Sequence, residues 1–280
     1  RRSVVIGRGY SKPASFGAPQ VVHRELIEQH RRPELYRSGH ESPSPRGRSA
    51  PLVCAHRGLS VPCPENTMPS FGAALGAGAD EIELDLWLSA DGVPVVCHDP
   101  DLARTTDREG IVTQLTWAEV RAADAGVSSG TEWAGVTVPR FEDVLDLVGG
   151  RATLNIHVKD AGPDGNLVRR VAELLRESGV SEKAYIAGAE DVLDWAVQIC
   201  PEIHRACLGS QDDTPHQLEI AREYSCQRIQ FGRQVSQDAI HAAKKQGRIC
   251  NLFWSDDLDD ARAYVQSGID VVLTNRCHVV

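Results

Sequence analysis

Three short segments hold residue types that need a reason to sit inside a fold. Acidic and apolar residues alternate in Ile82-Glu83-Leu84-Asp85-Leu86, and polar and apolar ones in Asn155-Ile156-His157-Val158-Lys159. Extended backbone sends successive side chains to opposite faces, so the apolar set covers one face and Glu83, Asp85, Asn155, His157 and Lys159 share the other. A third run, Val53-Cys54-Ala55-His56, places Cys54 and His56 together in the same way. Carboxylates gathered at one point hold a divalent cation, and imidazoles beside them move protons near neutral pH. His56 and His98 are the imidazoles expected to do this. With the cation, Arg57 and Lys159 would neutralise an anionic group such as phosphate as charge builds on it.

Such a cluster needs elements that bring distant segments to one place. From residue 51 onward short β-branched or apolar runs alternate with helix-length amphipathic segments. Strands are expected near 52–56, 80–86, 152–158, 183–187, 203–208, 227–231, 248–254 and 270–274. Helices are expected at 66–77, 165–178, 189–199, 214–224, 236–246 and 256–267. Eight parallel strands with intervening helices in about 230 residues make the expected fold class α/β, a (β/α)8 TIM barrel. Residues 93–98 follow the second strand across Asp91-Gly92, a two-residue turn signal that implies an antiparallel hairpin extension after strand 2. That turn would set His98 opposite Asp85 on one face. Residues 99–151 read as a longer excursion with short helices at 117–123 and 141–148.

Composition bounds the alternatives. At 280 residues, 41% hydrophobic and 25% charged, the chain can bury one large core. No stretch approaches the roughly 18 apolar residues of a membrane helix. Net charge is −9, which disfavours a nucleic-acid surface or an anionic membrane as partner. Residues 1–50 are expected as a basic, Pro/Gly/Ser-containing tail with one short helical stretch near 21–30, and 51–280 as the acidic barrel domain. The eight cysteines are scattered without a CxxC pair. They read as buried thiols of a reducing, cytoplasmic compartment.

The same residues also carry a family likeness. In order, His56-Arg57-Gly58, Pro64-Glu65-Asn66-Thr67, Glu83-Leu84-Asp85, Val95-Val96-Cys97-His98-Asp99, Arg104-Thr105-Thr106, the 138–145 segment and the 268–274 segment resemble the glycerophosphodiester phosphodiesterase family. The resemblance covers 51–280 and implies a TIM barrel. The implied reaction is metal-dependent cleavage of a small phosphodiester to an alcohol and glycerol phosphate, a step of lipid and glycerol metabolism. It also implies His56 and His98 as the acid–base pair, Glu83 and Asp85 as metal ligands, and Arg57 and Lys159 as phosphate contacts. One Mg²⁺ or Ca²⁺ would be the cofactor.

One departure bears on the metal. The family pattern on the third barrel strand is Glu-x-Lys, and His157 stands at the Glu position. An imidazole removes one charge and one hard oxygen, shifting preference toward Mn²⁺ or Zn²⁺. His157 is expected as the third ligand, the alternatives being a hydrogen-bonding role or a substrate contact. Glu65 is expected to hold its loop by hydrogen bonds and Arg104 to brace the hairpin. Lys159 has the alternative of pairing with an inner carboxylate, and Phe253 or Trp254 of walling the alcohol side. Two other functions stay open: cyclisation by a substrate hydroxyl, and a catalytically silent barrel that binds phosphodiester or a partner.

Overall fold

A computed structural model describes residues 50–280. The expected basic tail, with its helical stretch near 21–30, lies outside the described residues. Among the described residues, nine strands form one sheet: β1 (Leu52–Ala55), β2 (Glu81–Leu88), β3 (Pro94–Val96), β4 (Thr153–Val158), β5 (Ala184–Gly188), β6 (His204–Cys207), β7 (Arg228–Gly232), β8 (Ile249–Phe253) and β9 (Val271–Thr274). All pair in parallel except β3, and contacts of β1 with both β9 and β2 close the sheet into a barrel of eight parallel strands. Around it lie α1 (Met68–Gly76), α3 (Phe141–Val148), α4 (Asn166–Glu177), α5 (Glu190–Ile199), α6 (Thr214–Glu223), α7 (Gln237–Lys245) and α8 (Leu258–Ser267), while the short α2 (Trp117–Arg121) belongs to the excursion after β3.

The helices form where apolar residues recur at helical spacing. In α4, Leu167, Val168, Val171, Ala172, Leu174 and Leu175 are buried on one side and pack with Ile82, Leu84, Leu86, Leu154, Ile156 and Val158 from the outer face of the barrel. Helix starts are fixed by side-chain caps, Asp213 for α6, Ser236 for α7 and Asp257 for α8. The outer faces of β2 and β4 are thus committed to helix packing. Their alternate residues must point to the barrel axis.

The hairpin register differs from the sequence expectation by one residue. β3 runs antiparallel to β2 with Leu86 opposite Val96, Trp87 opposite Val95 and Leu88 opposite Pro94. Ser89 N–H donates to the Val93 carbonyl at 2.9 Å, so the loop is the three residues Ala90-Asp91-Gly92, with Gly92 at φ +82°. Asp91 accepts from Ser89 Oγ and from the Trp117 N–H, and so anchors the excursion instead of forming a two-residue turn. In consequence Cys97, whose N–H reaches the Asp85 carbonyl at 3.1 Å, lies opposite Asp85. His98 falls just beyond the strand.

A buried polar layer crosses the barrel beneath the rim. Arg228 Nη1 donates to Glu81 Oε1 at 2.8 Å, Tyr185 Oη donates to Glu81 Oε2 at 2.8 Å, and Asn251 Nδ2 donates to Tyr185 Oη at 3.0 Å. The Arg228 guanidinium stacks 4.1 Å from the Tyr185 ring centroid. Glu81 shares parity with Glu83 and Asp85, and its inward placement follows from the same alternation. Removing one member of a buried pair strands the other. Arg228→Met is expected to lower unfolding free energy by about 3–5 kcal/mol in urea titrations, and Glu81→Gln added to it to recover most of that loss.

Candidate active site

The catalytic-type side chains stand at the carboxyl ends of β1, β2 and β4 and in the loops that follow. After β1 the chain turns sharply, with Arg57 at φ +57° and Gly58 at φ +79°. That turn aims the Arg57 N–H at Glu83 Oε2, 2.9 Å away. Gly58 is required twice over, by its φ and because a Cβ there would lie 2.4 Å from Ser70 Oγ and 2.6 Å from the Ser70 carbonyl carbon. Ser70 Oγ in turn donates to the Arg57 carbonyl. The next loop supplies Asn66, whose Nδ2 donates to Asp85 Oδ2 at 2.8 Å.

Glu83 and Asp85 are almost wholly buried, at 3% and 1% exposure. Burial, and then the charge of Asp85, push the Glu83 carboxyl well above its ordinary range. Burial also pushes Asp85 up. The close approach of the His157 imidazole and the charges of Lys159 and Arg57 outweigh it and hold Asp85 well below. Lys159 Nζ and His157 Nδ1 approach Asp85 Oδ1 at 2.9 and 3.0 Å, and Arg57 Nε approaches Oδ2 at 3.5 Å. Those distances are ionic, yet the Oδ1 contacts are off the hydrogen-bonding direction, and this buried oxygen has no aligned donor among the described residues.

Ligand atoms of Glu83, Asp85 and His157 all lie within 4.8 Å of one another. Two carboxylates and one imidazole form a donor set suited to a divalent cation, and the orphaned Asp85 oxygen fits one. So does the conflict between two like charges out of water, which a cation removes.

Both histidines are anchored through Nδ1. His56 Nδ1 lies 2.8 Å from Asn275 Oδ1, its Nε2 4.0 Å from Glu83 Oε2, and its ring packs edge-on against Phe253 at 5.3 Å. Burial, helped by the Arg57 charge, lowers the His56 imidazole to about 4, so it is neutral at pH 7. His98 Nδ1 contacts Asp99 Oδ1 at 2.6 Å. A chain of ion pairs continues from there: Asp99 with Arg104, Arg104 Nη2 with Glu65 Oε1 at 2.7 Å, and Glu65 Oε1 with Arg57 Nη1 at 2.9 Å. His98 and Arg57 are linked across the mouth.

His56, Arg57, Glu83, Asp85, His98, His157 and Lys159 therefore meet at this rim, while Cys54 is level with Glu81 in the layer below and Asn155 is buried against Gln230. Glu65 and Arg104 hold loops by hydrogen bonds. Lys159 is paired with an inner carboxylate, Phe253 touches His56, and Trp254 lies on the Arg233 side, where its carbonyl accepts from Arg233 Nη1 at 2.7 Å. Sequence reasoning missed Asn66, Asn275 and Asp256. Asn66 was within reach, since it lies in the quoted Pro-Glu-Asn-Thr run. The other two are loop residues with no alternation to mark them.

Chemistry gathered at the carboxyl ends of parallel strands is the arrangement of the (β/α)8 barrel enzymes. Comparison with known proteins narrows that class. The chain belongs to the glycerophosphoryl diester phosphodiesterase family, whose model matches residues 56–279, a family of phosphoric diester hydrolases. It is 31% identical over 242 residues to a glycerophosphodiester phosphodiesterase of Caldanaerobacter subterraneus subsp. tengcongensis, covering 80% of this chain and 93% of that one. The crystal structure of glycerophosphodiester phosphodiesterase from Agrobacterium tumefaciens superposes with a TM-score of 0.72 at 29% identity, covering 82% of this chain and 98% of that one. An Oleispira antarctica phosphodiesterase, solved in complex with the product sn-glycerol-3-phosphate, superposes with a TM-score of 0.75 at 26% identity, covering 81% and 94%.

The turn at Gly58 sets the Arg57 amide on Glu83. Gly58→Ala is expected to cost roughly 2–3 kcal/mol of stability, read as a lowered midpoint in thermal unfolding.

Proposed function

We propose that this protein hydrolyses small glycerophosphodiesters to an alcohol and glycerol phosphate with one divalent cation held by Glu83, Asp85 and His157. The observation that carries the reading is the meeting of these three groups on a barrel that also presents two imidazoles whose Nδ1 atoms are both engaged. Each ring then has its Nε2 left for substrate. When bound, the cation supplies a Lewis acid that stabilises charge on the phosphoryl oxygens.

His56, neutral and buried, accepts at Nε2 the proton of the attacking water. His98, held by the Asp99 carboxylate, delivers a proton from Nε2 to the departing alcohol oxygen. The new P–O bond forms to water and the P–O bond to the alcohol breaks, so the two histidines exchange protonation states over one turnover. Arg57 and Lys159 flank Asp85 and are the cations available to a phosphate oxygen. Glu65 and Arg104 hold Arg57 and His98 at a set spacing.

Product glycerol phosphate in the Oleispira antarctica relative supports the substrate class. The imidazole of His157 supports Mn²⁺ or Zn²⁺ over Mg²⁺ or Ca²⁺. Eight buried free thiols support a reducing, cytoplasmic setting. Among the described residues no helix is long and apolar enough to cross a membrane.

Glycerophosphocholine turnover, followed by phosphorus NMR, tests the reading. EDTA is expected to abolish it, and His56→Ala or His98→Ala to lower kcat by a factor on the order of 10²–10⁴ with metal binding by calorimetry retained. A cyclic phosphate product would replace water attack by internal attack. No turnover with any metal would leave a binding barrel.

His157→Glu restores a third carboxylate. It is expected to tighten Mg²⁺ or Ca²⁺ on the order of tenfold in calorimetry and to weaken the preference for Mn²⁺.

A further inference from the structure

Three neighbouring strands of the barrel, β8, β9 and β1, lead into Asp256, Asn275 and His56, and these side chains touch in that order. Asp256 Oδ2 accepts from Asn275 Nδ2 at 2.8 Å, and Asn275 Oδ1 faces His56 Nδ1 at 2.8 Å. The orientation of the amide decides where the imidazole proton sits. An ionised carboxylate has only acceptors, so the amide must turn its NH₂ toward Asp256 and its oxygen toward His56. A flipped amide would set two oxygens against each other at 2.8 Å.

Asp256 is itself held by two further donors, Thr274 Oγ1 at 2.9 Å and the Asn275 N–H at 2.7 Å. It has no part in starting α8, because the helix cap is Asp257, which accepts from the Asp260 N–H at 2.8 Å. Nor does it pair with Arg233, whose carboxylate partner is Asp260. The orientation of Asn275 is what this carboxylate visibly serves.

We infer that Asp256 and Asn275 act as a positioning pair that locks His56 in the Nδ1–H tautomer and so keeps the Nε2 lone pair aimed into the site. The inference rests on reading His56 as the proton acceptor. It differs from the His98 arrangement in one respect that matters: Asp99 offers its imidazole a charge, whereas Asn275 offers a neutral dipole. A neutral partner orients the ring without holding it as a cation.

Substitutions that keep shape but alter hydrogen bonding test this. In Asp256→Asn the new amide keeps its oxygen on Thr274 and the Asn275 N–H and turns its NH₂ toward Asn275. The Asn275 amide must then flip, present NH₂ to His56, and move the ring proton to Nε2. In the combined Asp256→Asn, Asn275→Asp variant the amide at position 256 donates to the carboxylate at position 275. The second oxygen of that carboxylate faces His56, so the ring keeps its proton on Nδ1. Two-bond ¹H–¹⁵N spectra of the full chain, with the His56 signals assigned by their loss in His56→Gln, report the tautomer directly.

The expected result is Nδ1–H in the wild type, Nε2–H in the single Asp256→Asn variant with kcat down by a factor on the order of 10²–10⁴ and KM little changed, and recovery of both tautomer and most turnover in the double variant. An unchanged tautomer in Asp256→Asn, or a double variant no better than the single one, overturns the inference. If the wild type turns over no diester, the proposed function fails, and the nitrogen spectra still decide whether the pair sets the tautomer.

Discussion

Two carboxylates on one face of β2, buried within a barrel, are the constraint around which this rim is built. Glu83 and Asp85 are neighbours on the inward side of the strand, almost without solvent, and their mutual repulsion is little screened there. Neither can be moved outward, because the intervening Leu84 and the flanking Ile82 and Leu86 are fully buried against helices. The surrounding sequence answers that repulsion point by point. The Arg57 amide faces Glu83, the Asn66 amide faces Asp85, and Lys159 and His157 from β4 approach Asp85 from the next strand. The positive φ of Arg57 and Asn66 and the close approach at Gly58 are the backbone conditions for these contacts.

The pattern of side chains toward the axis was legible in the sequence wherever a strand alternates strictly. β2 and β4 announce their inner faces because every second residue is apolar, and parallel pairing then brings Asp85 level with His157. Alternation also carried the barrel itself, since its eight parallel strands are short apolar runs between amphipathic helices. It was less informative for the hairpin. A loop of two residues and one of three are both compatible with Ala90-Asp91-Gly92, and only the engagement of Asp91 with Ser89 and Trp117 selects the longer one. That single step exchanges His98 for Cys97 opposite Asp85.

Other features were hidden for different reasons. Glu81 continues the parity of Glu83, yet its partners Arg228 and Tyr185 come from β7 and β5, with Asn251 of β8 donating to Tyr185 behind them, and no local spacing connects them. Asp256 and Asn275 lie outside strands, where polar residues are expected and carry no pattern. Their significance arises from strand order alone: β9 lies between β8 and β1, so residues just past the three strand ends become neighbours.

The two polar layers of the barrel differ in how completely their charges are matched. In the lower layer Glu81 receives Arg228 on one oxygen and Tyr185 on the other, which leaves that carboxylate fully engaged. At the rim, Glu83 and Asp85 are balanced in formal charge by Arg57 and Lys159, but the guanidinium of Arg57 is shared with Glu65, and one Asp85 oxygen lacks an aligned donor among the described residues. A divalent cation among Glu83, Asp85 and His157 would turn that inner group from neutral to positive. A phosphodiester carries one negative charge and gains more as a nucleophile adds, so added positive charge there would be of the complementary sign. The lower layer can then be read as structural and the rim as reactive, on the single criterion of which buried charges the fold itself has already satisfied.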